Sequence, residues 1–263
     1  METQESLRAK YNPEGSELRH LQMRMLDILI AVDEICRRHD IPYWIEGGTL
    51  LGAVRHGGFI PWDDDLDIAL MKQDYHKLLG YLEKELPTCY KLQTHKTDRN
   101  YYLAFAKIRE TDSIIKEVGE YDNFYTYQGI YIDIFPVEPV FPFLSKISSY
   151  LTYLLRSVAT SKRWGKQLLV EVLFILSRWS NSIFRLFGMI KASSMFSVSY
   201  GSYFPYRCKK DVFFPLSEIV FENHRFKAPH QIDTYLRSMY GNYMELPEED
   251  KREKHIVNVK FKK

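Results

Sequence analysis

Cysteine is scarce in this chain. Its three thiols, Cys36, Cys89 and Cys208, are odd in number and far apart. They form no CxxC pair and no zinc set, so a disulfide scaffold is excluded and thiols in a reducing compartment are expected. An excess of one charge is also missing. The 36 basic and 34 acidic residues leave +2, well short of the basicity with which a dedicated nucleic-acid binder tracks phosphates. No uncharged apolar run reaches the roughly 18 residues of a spanning helix. The opening METQESLRAKYNPEGSELR is polar and charged, so no signal peptide is expected and the expected location is cytoplasmic. Internal repeats and low-complexity tracts are absent. What abounds is apolar and aromatic: 45% hydrophobic residues, with 19 Tyr and 16 Phe, enough for a sizeable core.

The most informative stretch is YWIEGGTLLGAVRHGGFIPWDDDLDIAL, residues 43–70. A short apolar run ends in Gly47-Gly48, a helix-compatible segment leads to Gly57-Gly58, and Asp63, Asp64, Asp65 and Asp67 follow. From 65 to 71, Leu66, Ile68 and Leu70 alternate with Asp65, Asp67 and Ala69, as on a strand with its acids on one side. Carboxylates at i and i+2 of a strand lie about 7 Å apart and can share divalent cations. Hard oxygens suit Mg²⁺ or Mn²⁺, which join one or two carboxylates to substrate phosphates. Asp65 and Asp67 meet this requirement, Asp63 continues the period as a third ligand, and Asp64 points the other way. Upstream, Gly47 and Gly48 permit close approach of backbone amides to a ligand. Thr49 is expected to cap a helix over 50–55, whose N-terminus favours an anion. Phosphate donors and metal ligands thus lie within about twenty residues, which suits phosphoryl transfer, a chemistry of positioning and charge neutralisation. A further carboxylate from a neighbouring strand would complete the site. Asp133, among the apolar residues of GIYIDIF, is the candidate for metal ligand or base, or else a structural acid paired with a nearby cation. Arg55, His56, Lys107 and Arg109 are cations able to bind phosphate. His56 reads better as a structural hydrogen-bonding residue, and Trp62 as a packing residue.

Elsewhere, residues 1–15 look like a loose leader. Residues 17–39 carry apolar positions at helical spacing and are stopped by Asp40-Ile41-Pro42. A helix is expected over 73–86 and strands over 43–46, 90–94, 103–109, 113–116 and 129–135, the last ended by Pro136. Between 139 and 200 the acids nearly vanish: Glu171 stands against Lys146, Arg156, Lys162, Arg163, Lys166, Arg178, Arg185 and Lys191. Two or three helices with wide apolar faces and a basic rim are expected there. Such helices either lie peripherally on an anionic membrane or pack on the core with their cations in water. FFPLSEIVFENHRFKAP reads as a hairpin turning at Glu222-Asn223-His224, a short helix spans 232–240, and a charged surface tail follows residue 246.

EGGTLLGAVRHGGFIPWDDDLDIAL resembles the signature of the LicD family, which includes bacterial phosphocholine transferases and the animal fukutin-related proteins. That family looks like a branch of the nucleotidyltransferase-fold superfamily, whose pattern is a glycine pair, then Asp-x-Asp on a strand, then a third acid on a later strand. Gly47-Gly48, Asp65-Leu66-Asp67 and Asp133 match it. The resemblance covers roughly 18–138 and 213–255; the basic segment between matches no pattern. It implies an α+β fold over 1–263: a nucleotidyltransferase-like mixed β-sheet flanked by helices, with 139–200 as a helical insertion. It implies a Mg²⁺- or Mn²⁺-dependent enzyme that transfers a phospho-alcohol such as phosphocholine, glycerol phosphate or ribitol phosphate. The donor would be CDP-activated and the acceptor a hydroxyl of a cell-surface or capsular glycan that can be lipid-linked, with no nucleic-acid partner. The alternatives are a nucleotidyltransferase acting from a nucleoside triphosphate and a non-catalytic glycan- or nucleotide-binding protein.

Overall fold

The structure, a computed structural model, describes residues 2–118, 124–160, 166–190, 194–202, 204, 206–252 and 254–262. It is mixed α and β, a curled mixed sheet flanked by helices, as the α+β expectation has it. The supposed leader is in fact a helix, α1 (Gln4–Tyr11), with a reciprocal capping box between Thr3 and Ser6. Its polarity hides one buried anchor, Leu7, and Gln4 reaches the end of a later helix. Helix α2 (Glu17–Arg38) starts at Ser16, whose hydroxyl accepts the Arg19 N–H. Its stripe of Leu21, Met25, Ile28, Leu29, Val32 and Ile35 is buried, which is what the helical spacing demanded.

The central elements follow in quick succession: β1 (Trp44–Ile45), α3 (Gly47–His56), β2 (Asp67–Met71) and α4 (Lys72–Glu85). Gly57 closes α3 at φ +69°, a left-handed conformation that glycine adopts without strain. Then come β3 (Tyr90–Gln93), β4 (Ala106–Glu110), β5 (Ser113–Glu117) and β6 (Tyr131–Pro139). The main sheet runs β1-β2-β6-β4-β3, with β2 and β6 parallel. Pro136 does not end β6. It sits beyond the β4 pairing, which spans Tyr131 to Ile134, and before the next pairing begins at Val137, so a missing N–H costs the ladder little there. Its carbonyl still accepts the Ser199 N–H at 2.8 Å.

The basic segment holds two long helices, α5 (Pro142–Thr160) and α6 (Gln167–Ile190), and then leaves the helical pattern expected up to residue 200. Strand β7 (Met195–Val198) pairs with the far half of β6 and with β8 (Cys208–Lys209). Lys162, Arg163 and Lys191 lie outside the described residues. Helix α7 (Lys210–Phe213) leads to the hairpin of β9 (Ser217–Phe221) and β10 (His224–Ala228). Glu222 and Asn223 form its two-residue turn, both at positive φ, as the natural strand twist requires. The Glu222 carboxylate clamps the turn to Arg19 at 2.8 Å and to the Phe59 N–H at 3.0 Å. After α8 (Ile232–Tyr240), the tail lies largely on the surface, as expected, and within it β11 (Ile256–Phe261) pairs with β5. Among the described residues no helix is long and apolar enough to cross a membrane.

Candidate active site

Three neighbouring strands line up the charges. Asp67 at the start of β2 is in register with Asp133 on β6, and Asp133 with Lys107 on β4. In-register neighbours stand about 5 Å apart and point to the same face of the sheet. The Lys107 ammonium straddles Asp133, 2.7 Å from Oδ1 and 3.0 Å from Oδ2, and lies 3.4 Å from the centre of the Tyr131 ring. Asp133 is thus paired with a base, Lys107, and stands beside Asp67.

The opposite wall is the start of α3. The Glu46 N–H donates to the Asp67 carbonyl at 2.9 Å, so the helix begins beside β2. Gly47 has φ +53°, and a Cβ there would come within 3.5 Å of Asp67 Oδ2 and 3.6 Å of Tyr240 Oη. A Cβ on Gly48 would lie 3.0 Å from Asp63 Oδ2. The glycine pair is thus what lets two carboxylates approach a helix N-terminus, whose first-turn N–H groups lack intrahelical acceptors. Thr49 is not the cap expected. The helix starts two residues earlier, and the Thr49 hydroxyl accepts the Asp67 N–H at 2.9 Å, tying α3 to β2.

The acids crowd one another. Burial and the charges of Asp65 and Asp64 push Asp63 well above the usual carboxylate range, and burial together with Asp65 and Asp133 does the same to Asp67. Asp65 is raised by burial against the pull of His255, and Asp133 is raised to about 6 by burial against the pull of Lys107. Asp63 and Asp65 lie close enough to share a proton. Buried carboxylates outnumber the cations facing them, and all the donors are hard oxygens. Oxygens of this kind suit a hard divalent cation; among the described residues the donor atoms that converge within 4.8 Å are those of Asp63, Asp64 and His255.

Asp64 is turned away from this set. Its buried carboxylate accepts the backbone N–H groups of His255 at 2.9 Å and Ile256 at 2.7 Å, and lies 3.1 Å from His255 Nδ1. The lone pairs of Asp64 are thus taken up in clasping the entry to β11. The hydrogen bond to Asp64, reinforced by Asp65 at 3.5 Å, raises His255 to about 9.

Of the other cations named from the sequence, Arg55 stands at the far end of α3, about 12 Å along the helix from the glycine pair. Its guanidinium donates to the carbonyls of Tyr243 at 3.0 Å and Glu245 at 3.2 Å, so it straps the chain after α8, while the charge of Asp63 also reaches it. His56 bonds Gln4 and is pushed down to about 3 by burial and by Arg55, a neutral structural imidazole. Arg109 is fully buried and occupied by Gln93, Gly129 and Glu117. Trp62 packs edge-on against Tyr11, with Arg252 over its ring.

Three residues of the site escaped the sequence reading. His255 and Tyr240 come from the C-terminal part with no local motif. Glu46 precedes the glycine pair and is fully buried; it accepts from Trp44 Nε1 at 2.7 Å and from the Tyr235 hydroxyl, and burial raises it to about 7.

Known sequences resemble this chain. Residues 40–153 match the family described as LicD/FKTN/FKRP, nucleotidyltransferase domain. The chain is 29% identical to the lipopolysaccharide cholinephosphotransferase LicD of Haemophilus influenzae, over 91% of this chain and 96% of that protein. It is 56% identical over 34 residues to the human ribitol 5-phosphate transferase FKRP, 13% of this chain and 7% of that one. It is also 38% identical over 53 residues to the mouse ribitol-5-phosphate transferase FKTN, 19% of this chain and 12% of that one. The matched region contains the glycine pair, all four clustered aspartates, Lys107 and Asp133, and the bacterial relative is matched almost end to end.

Proposed function

We propose that this protein is a phosphotransferase that moves a phospho-alcohol from a CDP-activated donor to a glycan hydroxyl. The observation that carries this reading is the register of Asp67 with Asp133 on parallel strands, facing the glycine-paired start of α3. The near full-length likeness to a lipopolysaccharide cholinephosphotransferase supports it, as do the shorter matches to ribitol-phosphate transferases.

Asp65 and Asp67, with Asp63 and Asp133 beside them, would hold Mg²⁺ or Mn²⁺, whose charge offsets that of the transferred phosphoryl and the departing nucleotide. The first-turn amides of α3, at Gly47, Gly48 and Thr49, bind the donor diphosphate, since a helix N-terminus favours anions. Thr49 keeps that turn fixed against β2. Asp133 accepts the proton of the acceptor hydroxyl. The acceptor oxygen then forms its bond to the distal phosphorus of the donor, the bridging P–O bond breaks, and CMP leaves. Lys107 balances Asp133 before transfer and the phosphoryl oxygens during it.

A panel of CDP-choline, CDP-glycerol and CDP-ribitol, each with Mg²⁺ or Mn²⁺, tests the reading through CMP release and identifies the cargo. Pyrophosphate released from a nucleoside triphosphate, with no CMP from any CDP-alcohol, would instead make the protein a nucleotidyltransferase.

A further inference from the structure

The helical pair α5–α6 is built inside out. The stripe of α5 that faces inward is Ser145, Ser148, Thr152 and Leu155, and α6 turns Val170, Ser177 and Asn181 inward. Ser148 donates to Asn181 Oδ1 at 2.5 Å, and the Thr152 hydroxyl donates to the Ser148 carbonyl at 3.1 Å. The outward stripe of α6 is Leu168, Val172, Ile175, Trp179, Ile183 and Leu186, at steps of three and four along about 27 Å of helix. Leu168 is 74% exposed and Trp179 is 69% exposed. On α5, Phe143 is 72% exposed, with Tyr150 and Tyr153 also outward. A helix in water puts its apolar stripe on the core and its polar stripe outside; this pair does the reverse. An exposed apolar patch of this extent marks an interaction surface.

We propose that the outer face of α5–α6 docks in the interfacial layer of an anionic lipid bilayer. Charge selects this occupant. From 139 to 200 the chain carries eight basic residues and one acid, Glu171, and among the described residues Lys146 on α5 and Arg178 on α6 are exposed beside the apolar stripes. A second copy of the same face would meet like charge there, whereas anionic headgroups meet the opposite charge. The helices are too polar to cross a membrane, so they lie on it. Attachment to the sheet is firm: Arg185 of α6 bonds the buried Glu138 at 3.0 Å, and Lys72 reaches the same carboxylate at 2.9 Å. Strand β6 carries both Glu138 and Asp133, so docking would bring the candidate site close to acceptors that reside in the bilayer. The docking does not rest on the phosphotransfer reading.

The test is flotation of the full-length protein with vesicles of phosphatidylcholine alone or mixed equally with phosphatidylglycerol, in low salt. Binding is expected to the mixed vesicles, at least tenfold above pure phosphatidylcholine. It should fall at least tenfold in Leu168→Asp and Trp179→Asp, with an unchanged circular dichroism spectrum and melting temperature confirming that the exposed substitutions leave the fold intact. CMP release with a soluble acceptor should be the same in these variants and the wild type, which separates this test from that of the enzyme. Wild-type protein that stays unbound to mixed vesicles, or variants that float as well as wild type, would overturn the proposal. So would a wild-type dimer that both variants make monomeric, because the face would then belong to a second copy.

Discussion

At the scale of single residues, the four clustered aspartates have separate tasks. Asp63, Asp65 and Asp67 face one another across the start of α3, while Asp64 faces the chain that enters β11. The strand expected from residue 65 begins only at Asp67, so strand alternation does not reach Asp63–Leu66, and Asp64 is set apart by its partners instead. What it faced was not legible, because its partners are backbone N–H groups 191 and 192 residues away. Asp67→Asn should lower CMP release by on the order of 10²- to 10³-fold, the scale of losing one preorganised electrostatic contact. It should also raise the melting temperature of the metal-free protein slightly, because it removes one of several repelling charges. Calorimetry with and without Mn²⁺ checks this, and the metal-induced rise should shrink in the variant. Asp64→Ala leaves two part-buried N–H donors without an acceptor, at a cost of about 1 kcal/mol each. Its stability in urea should fall accordingly, with faster proteolysis at the tail.

At the scale of elements, most helices and strands were legible because their apolar periodicity is strong; α2, α4, β4 and β6 are examples. The misses have physical reasons. Helix α1 is polar on most of its faces and is held by a capping box and one anchor, Leu7. Strand β6 runs through Pro136 because its neighbours change there. Strand β7 lies at the end of a basic segment whose composition is dominated by helices. Its place in the sheet is secured by the polar knot of Lys72, Glu138, Arg185 and Ser199, drawn from four elements or their flanks. Burial raises Glu138, but Lys72, Arg185 and Ser199 outweigh it and bring the carboxyl below its usual value. A depressed carboxyl adds stability that is complete above its unfolded value, about 4.5, and is lost as the pH falls through the folded value. Glu138→Gln leaves two cations partly buried without their partner and should cost about 3 kcal/mol near neutral pH. The penalty should shrink below pH 4.5, where the wild type loses the same charge; melting curves of both proteins against pH would show the two lines converge.

At the scale of the whole molecule, the chain's two ends meet at the aspartate loop. Strand β11 and His255 come from the last residues, α1 from the first, and Arg252 reaches both Tyr11 and Trp62. Removing residues 249–263 should therefore destabilise the aspartate loop and strongly reduce activity, although none of the removed residues is assigned to the chemistry; CMP release and tryptophan fluorescence on the truncated protein would report this. The reaction class was legible because glycine pair, Asp-x-Asp and a later acid fall in an order that strand geometry turns into one cluster. The cargo was not, since these residues address phosphate and metal, which every CDP-alcohol presents alike. The central claim is that Asp67 and Asp133 operate on a CDP-activated donor. Its most direct measurement is Mn²⁺-dependent CMP release from the CDP-alcohol panel by wild-type, Asp67→Asn and Asp133→Asn proteins. The account predicts release from at least one donor by the wild type, abolished by chelation and reduced at least a hundredfold in both variants. Release that persists in either variant, or a folded wild type that releases CMP from none of them, would contradict it.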